Sequence, residues 1–250
     1  TLHGCTVVNM EVTGGDMKVG GMYGSGVRVD ALDCHVSVDV DGGRMVGGFA
    51  GSQTEGSVTD CSTSGTVDAS WYQSGGFFGQ LANGTVTRCS TACSVTSTTS
   101  SLVGGFCGMF APATPGDGEI TACFSTGDVL SAGTAGGFCA TSSGTITDCY
   151  SRGNVVGDSA GGFCESNAGA ISNCYSTGAV DGTTASGFCA VNSGTVDACF
   201  WDTEASGVDT STAGTGHVTA LMETEATFTD AGWDFVGEDI NGTEETWALV

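Results

Sequence analysis

Along the whole chain, short apolar runs alternate with turn-forming residues in an order that keeps returning. The runs are three to six residues long and rich in Val, Ile, Thr, Phe and Tyr, as in Thr145-Ile146-Thr147. They are strand-length and β-favouring, not helical. Between them stand Asp41-Gly42, Asn83-Gly84, Asp117-Gly118 and Asp181-Gly182, residues that tolerate a positive φ. One phrase organises the pattern: a Gly-Gly-aromatic step, a polar turn, then Gly-x-β-branched-x-x-Cys. Gly136-Gly137-Phe138 leads to Gly144-Thr145-Ile146-Thr147-Asp148-Cys149, and Gly161-Gly162-Phe163 leads to Gly169-Ala170-Ile171-Ser172-Asn173-Cys174.

The second Gly falls at Gly21, Gly48, Gly76, Gly105, Gly137, Gly162 and Gly187, at intervals of 27, 28, 29, 32, 25 and 25 residues. Cys34, Cys61, Cys89, Cys123, Cys149, Cys174 and Cys199 keep the same step. A period of this size marks a repeat architecture, in which one unit cannot bury its apolar face alone and neighbours must stack. With two or three short strands per unit, the period predicts an all-β fold, a parallel β-solenoid of about seven coils. Rungs stacked at roughly 4.8 Å give a rod of roughly 35 Å. Propeller blades need about 40–45 residues, and a sandwich lacks a strict period. The glycine pair is expected at a corner where two backbones approach too closely for a Cβ. Phe49, Phe77, Phe106, Phe138, Phe163 and Phe188 are expected to form one inward ladder, and Val58, Val86, Ile120, Ile146, Ile171 and Val196 another.

Two regions emerge: the repeats, 1–200, and a capping or assembly segment, 201–250. The Ser- and Thr-rich stretch Ser90–Ser101, and Met109–Glu119 with both prolines, read as longer loops within coils. In the last segment, Thr219-Ala220-Leu221-Met222-Glu223 predicts a short helix with Thr219 as its N-cap. Bulky Phe228, Trp233, Phe235, Trp247 and Leu249 follow. Either they cover the last coil or some of them dock on the first coil of another copy. Leu2 and Cys5 already stand in register with a coil, so an open edge without a cap is expected at the start. Leu2, Cys5, Trp233, Phe235, Trp247 and Leu249 are therefore the candidate assembly residues, for a head-to-tail contact that propagates if it does not close.

Charge narrows the partners. The formal net charge is −23, with only Lys18, Arg28, Arg44, Arg88 and Arg152 as strong cations. A phosphate backbone needs a basic face, so nucleic acid is excluded as a partner, and anionic lipid is disfavoured. No apolar run is long enough to insert in a membrane, and the acidic coat suits a soluble exterior protein.

Thirteen cysteines point to an oxidising, extracellular compartment. Cys107, Cys139, Cys164 and Cys189 form a second column directly after the Phe, where earlier coils carry Ala50 or Phe78. Candidate within-coil disulfides are Cys107–Cys123, Cys139–Cys149, Cys164–Cys174 and Cys189–Cys199. Pairing between successive rungs, and free thiols packed as small hydrophobes, are the other two arrangements. Because thirteen is odd, at least one thiol lacks an internal partner. Cys89-x-x-x-Cys93 is not a paired zinc pattern, so no metal site and no cofactor are expected, and Ca²⁺ between acidic turns stays a minor option. Asn83 and Asn241 begin glycosylation sequons.

The phrase Gly-Gly-Phe with Gly-Thr-Ile-Thr-Asp-Cys-Tyr-Ser resembles the GLUG-repeat family. So do Cys199-Phe200-Trp201-Asp202-Thr203 and the tail Phe228-Thr229-Asp230-Ala231-Gly232-Trp233. The resemblance is closest from Cys123 to Phe235. It implies a β-solenoid building block of secreted and surface proteins of bacteria and archaea, found in adhesins, envelope proteins and non-catalytic parts of surface peptidases. No His-Glu-x-x-His motif or Gly-x-Ser-x-Gly elbow occurs, and Asp60, Asp148, Asp197 and Glu55 read as turn-making acids. The expectation is therefore a non-enzymatic, extracellular structural protein that assembles head-to-tail into a disulfide-stabilised filament. Alternatives are the rod of a cell-surface adhesin that binds a surface glycan or protein, and a glycan-active β-helix enzyme.

Overall fold

The computed structural model of the protein describes residues 1–99, 102–114, 116–236, 241 and 247. The chain winds as a parallel β-solenoid whose coils have four walls, rather than the two or three strands expected from sequence. In one coil the first wall is Thr145–Thr147 and the second is Tyr150–Ser151 with Val155–Val156. The third is Ser159–Gly161 and the fourth Cys164–Asn167. Stacking produces sheets of eight, twelve, seven and seven strands, every ladder parallel. The short runs fit because each strand extends only until the next corner residue turns the chain.

Register is one residue for one along the repeat phrase. Val58, Val86, Ile120, Ile146, Ile171 and Val196 are successive partners, and Leu2 and Ala31 extend the same column. Phe49, Phe77, Phe106, Phe138, Phe163 and Phe188 stack face to face, with ring centroids 4.7, 5.0, 4.8, 5.0 and 4.9 Å apart. These rings are fully buried, so rung spacing and ring-stacking distance coincide. At the corner before each Phe, a Cβ on Gly137 would sit 2.0 Å from the Gly162 carbonyl oxygen, and one on Gly162 2.1 Å from that of Gly187. The glycines are there because backbone meets backbone.

Ser90–Ser97 is a strand, not the loop expected from its Ser and Thr content. Thr91, Cys93, Val95 and Ser97 point inward, a period of two. The strand is in register with Ser62–Ala69 on one side and with Phe124–Ser125 and Val129–Ser131 on the other. Ladder partners on both edges outweigh its weak hydrophobicity. The Met109–Glu119 stretch is split: Met109 and Phe110 end one strand, Gly118 and Glu119 begin the next, and the described residues between them lie outside the strands.

Strand pairing continues through Phe200–Asp202 to Thr215–His217. Among the described residues three short helices follow Asp202: Thr203–Ser206, Thr219–Met222 and Glu225–Thr229. Asp202 caps the first, its Oδ1 accepting from the Glu204 and Ala205 amides at 2.9 Å. Thr219 is the first residue of the second helix and not its cap; Val218 holds that position with no side-chain bond, and the Thr219 hydroxyl donates to Asp202 instead.

Candidate functional site

Three features carry the residues singled out by sequence: the cysteine columns, the first coil, and the C-terminal segment. The thirteen thiols are all free. In the first column the residue before each Cys has a left-handed backbone, with φ between 47° and 55° at Asp33, Asp60, Arg88, Ala122, Asp148, Asn173 and Ala198. Asp and Asn adopt this conformation readily, which explains the acids at these turns. The turn leaves the Cys amide without a backbone acceptor, and the thiol of the next rung supplies one while also donating to a carbonyl that a neighbouring amide already bonds. Cys149 Sγ donates to the Thr147 carbonyl at 3.1 Å and accepts from the Cys123 amide at 3.4 Å. Cys174 Sγ repeats this with Ser172 at 3.0 Å and the Cys149 amide at 3.4 Å, and Cys61 and Cys123 do likewise.

Thiols therefore approach one another along the rod. In the second column Cys107, Cys139, Cys164 and Cys189 are direct ladder partners. The candidate partners Cys123, Cys149, Cys174 and Cys199 stand in the other column, at the turn into the second wall. The register thus favours contacts from rung to rung over the within-coil pairs. Burial pushes the thiols of Cys89, Cys123, Cys139 and Cys174 well above the ordinary range. A thiol held protonated is a poor nucleophile.

A third column was missed in the sequence. Thr63, Thr91, Ser125, Ser151 and Ser176 are ladder partners two residues after each Cys. Thr63, Ser151 and Ser176 reach across the core to the corner carbonyls of Gly76, Gly162 and Gly187, at 2.9, 2.8 and 2.9 Å. A buried carbonyl without a donor is costly, and here the opposite wall supplies one. The only sequence signal is a hydroxyl recurring at Cys plus two.

On the outside, side chains bond the neighbouring rung. Asp30 accepts from Ser57, Asp39 from Thr66, Asp128 from the Asn154 amide, and Asn154 from the Ala179 amide. Arg28 pairs with Glu55 at 2.6 Å, and Arg88 grips both oxygens of Asp60 at 2.7 and 2.8 Å. That grip holds the Asp60 carboxyl below its usual range. Asn83 and Asn241 also have their amides engaged, Asn83 by the Ala113 amide and Asn241 with the Thr229 and Trp233 carbonyls.

The two ends differ. The first-coil strands Leu2–His3, Thr6–Thr13, Lys18–Gly20 and Tyr23–Val27 pair on one side only among the described residues. Leu2 stands in the aliphatic column and Cys5 in the thiol column, its carbonyl accepting from the His35 amide at 2.8 Å. At the other end Trp201 replaces the hydroxyl of its column and seals the core, its indole N–H donating to the Val208 carbonyl at 3.1 Å. Amides and carbonyls of 187–189 then pair with Thr210 and Thr212. Trp233 and Phe235 do not project from this end: they are 1% and 4% exposed, packed with Phe200, Met222 and Phe228 against the outer face of the second wall. Tyr175 and Trp247 border the same cluster. Leu249 lies outside the described residues. Of the two roles open to these side chains, the structure realises packing on the chain's own last coils.

The match to a family covers one coil. Residues 42–68 carry the GLUG motif. The motif runs from the end of one second-wall strand to the same place one rung later, so it corresponds to one complete turn of the solenoid. It falls on earlier coils than the Cys123–Phe235 stretch where the resemblance is closest by eye, and it agrees with a GLUG-repeat reading. No curated protein and no solved structure matches the chain. Among the described residues, no group of three His, Cys, Asp or Glu side chains is placed to hold a metal ion, and no helix is long and apolar enough to cross a membrane.

Proposed function

We propose that this chain is a non-enzymatic structural rod, a stiff spacer of a secreted or cell-surface protein. The observation that carries the reading is where its polar side chains go. In the core, Thr63, Ser151 and Ser176 bond corner carbonyls, and many side chains on the surface bond the next rung, as in Asp39–Thr66 and Asp60–Arg88. Side chains committed to fixing rung on rung build rigidity along one axis. The acidic coat, at −23, supports an exterior setting by opposing lateral association, and so does the GLUG resemblance.

Strands at both ends of the described rod pair on one side only, Leu2–His3 and Lys18–Gly20 at one end and Thr184–Ser186 and Thr195–Asp197 at the other. At the latter end Trp201 and the backbone of Thr210 and Thr212 cover part of the last coil. That cover favours the adhesin-type rod over the head-to-tail filament, because a filament would have to displace the Trp201 and Thr210–Thr212 contacts. The test is light scattering after gel filtration, with electron microscopy of the same non-reduced material. Elongated monomers support the rod; end-to-end fibres at micromolar concentration would overturn it.

A further inference from the structure

A cavity of about 630 Å³ lies between the C-terminal segment and the outer face of the second wall. The size falls in the roughly 300–1,000 Å³ class that holds small ligands. Its chemistry is mixed in a particular way. Tyr175 and Trp247, both part-exposed, contribute ring surface. Arg152 contributes donors: its guanidinium lies 5.0 Å over the Tyr150 ring, and Nε and Nη2 donate to the Tyr175 hydroxyl at 3.2 and 2.8 Å. Unlike Arg28 and Arg88, it has no carboxylate partner among the described residues. Asp202 and Glu223 contribute acceptors. Asp202 is 3% exposed; its Oδ1 takes three hydrogen bonds, while its Oδ2 takes none from any described residue. The Oδ2 of this cavity-lining carboxylate is available to a ligand donor.

The charges select the occupant. An organic anion would meet Asp202 and Glu223 inside a protein of net charge −23, and a cation would meet Arg152. A neutral ligand with hydroxyls that both donate and accept, and with a C–H face that rests on an aromatic ring, satisfies all three groups at once. From this we infer that the cavity binds a neutral hexose unit of a glycan. The inference goes beyond the scaffold reading, which needs no ligand and stands whether or not the cavity is filled.

The experiment titrates the full chain with the neutral trisaccharides cellotriose, galactotriose and mannotriose, and with a trigalacturonate as the anionic control. Binding is read by calorimetry and by Trp fluorescence. At least one neutral trisaccharide is expected to bind and to shift the emission, because Trp233 and Trp247 border the cavity. Glu223→Gln, at an exposed position, should weaken that binding about tenfold, and Trp247→Phe should weaken it while leaving the fold intact. Trp71→Ala, at an exposed Trp elsewhere on the rod, should leave it unchanged. The inference is overturned if no neutral trisaccharide binds, or if the trigalacturonate binds more tightly. It is also overturned if binding survives both cavity variants, or is lost with Trp71→Ala.

Discussion

Gly137 shows what a single residue decides in this architecture. A Cβ there would lie 2.0 Å from the Gly162 carbonyl oxygen, and neither backbone can move without shifting a whole rung. Gly137→Ala is expected to cost about 3 kcal/mol or more, whereas Gly15→Ala, with nothing within 4 Å, should be close to neutral; urea unfolding of the two variants makes the comparison. Asp148 makes the opposite case. Burial and the nearby Asp234 carboxylate raise its pKa. A carboxyl raised above its unfolded value favours the fold while protonated, and that contribution is lost as pH rises past the unfolded value, near 4. Asp148→Asn should therefore raise Tm at pH 7, with the gain shrinking toward pH 3. Asn is also at home at the left-handed φ of 55° found there, as Asn173 is one rung later. A gain over the wild type no larger at pH 7 than at pH 3 would contradict the assignment.

Elements in this fold are columns rather than strands, and the columns differ in how visible they are from sequence. The glycine corner, the Phe ladder and the aliphatic ladder were legible because one residue type recurs at one step, and a repeated bulky side chain has only the core to occupy. The hydroxyl column of Thr63, Ser151 and Ser176 was not, since Ser and Thr are abundant here and only stacking shows which of them face a corner carbonyl. Ser90–Ser97 was obscured for the same reason. The cavity by Arg152 was invisible because its walls come from coils and helices far apart along the chain. The thiol column was visible as a pattern, but its partners were not: spacing suggests disulfides, while at the left-handed turns Cys61, Cys123, Cys149 and Cys174 each bond an amide and a carbonyl. Cys149→Ser, which keeps a donor and an acceptor, should be tolerated better than Cys149→Ala, which leaves the Cys123 amide without its acceptor at a cost of about 1–3 kcal/mol. Thiol titration of denatured, unreduced protein should find all thirteen groups; a clear shortfall would restore the disulfide reading.

At the scale of the molecule, the sequence period translated directly into shape, because a coil's apolar face can be buried only by its neighbours. What the period left open was how the ends are finished. Trp201 and the Val208–His217 region close the last coil, and Trp233 and Phe235 lie along its flank, so the apolar tail that looked like an assembly element is part of the chain's own core. The central claim is that equivalent residues of successive coils stand one rung apart along a straight ladder. Thr85, Glu119, Thr145, Ala170 and Thr195 form one such ladder on the first wall, with Thr85 and Thr195 exposed. Nitroxide labels introduced at Thr85 and Thr195 through an unnatural amino acid, which spares the cysteines, can be measured by pulsed electron paramagnetic resonance. Four rungs predict backbone positions roughly 19 Å apart and a narrow distance distribution. A distribution centred beyond about twice that spacing would show that the repeats do not stack in register.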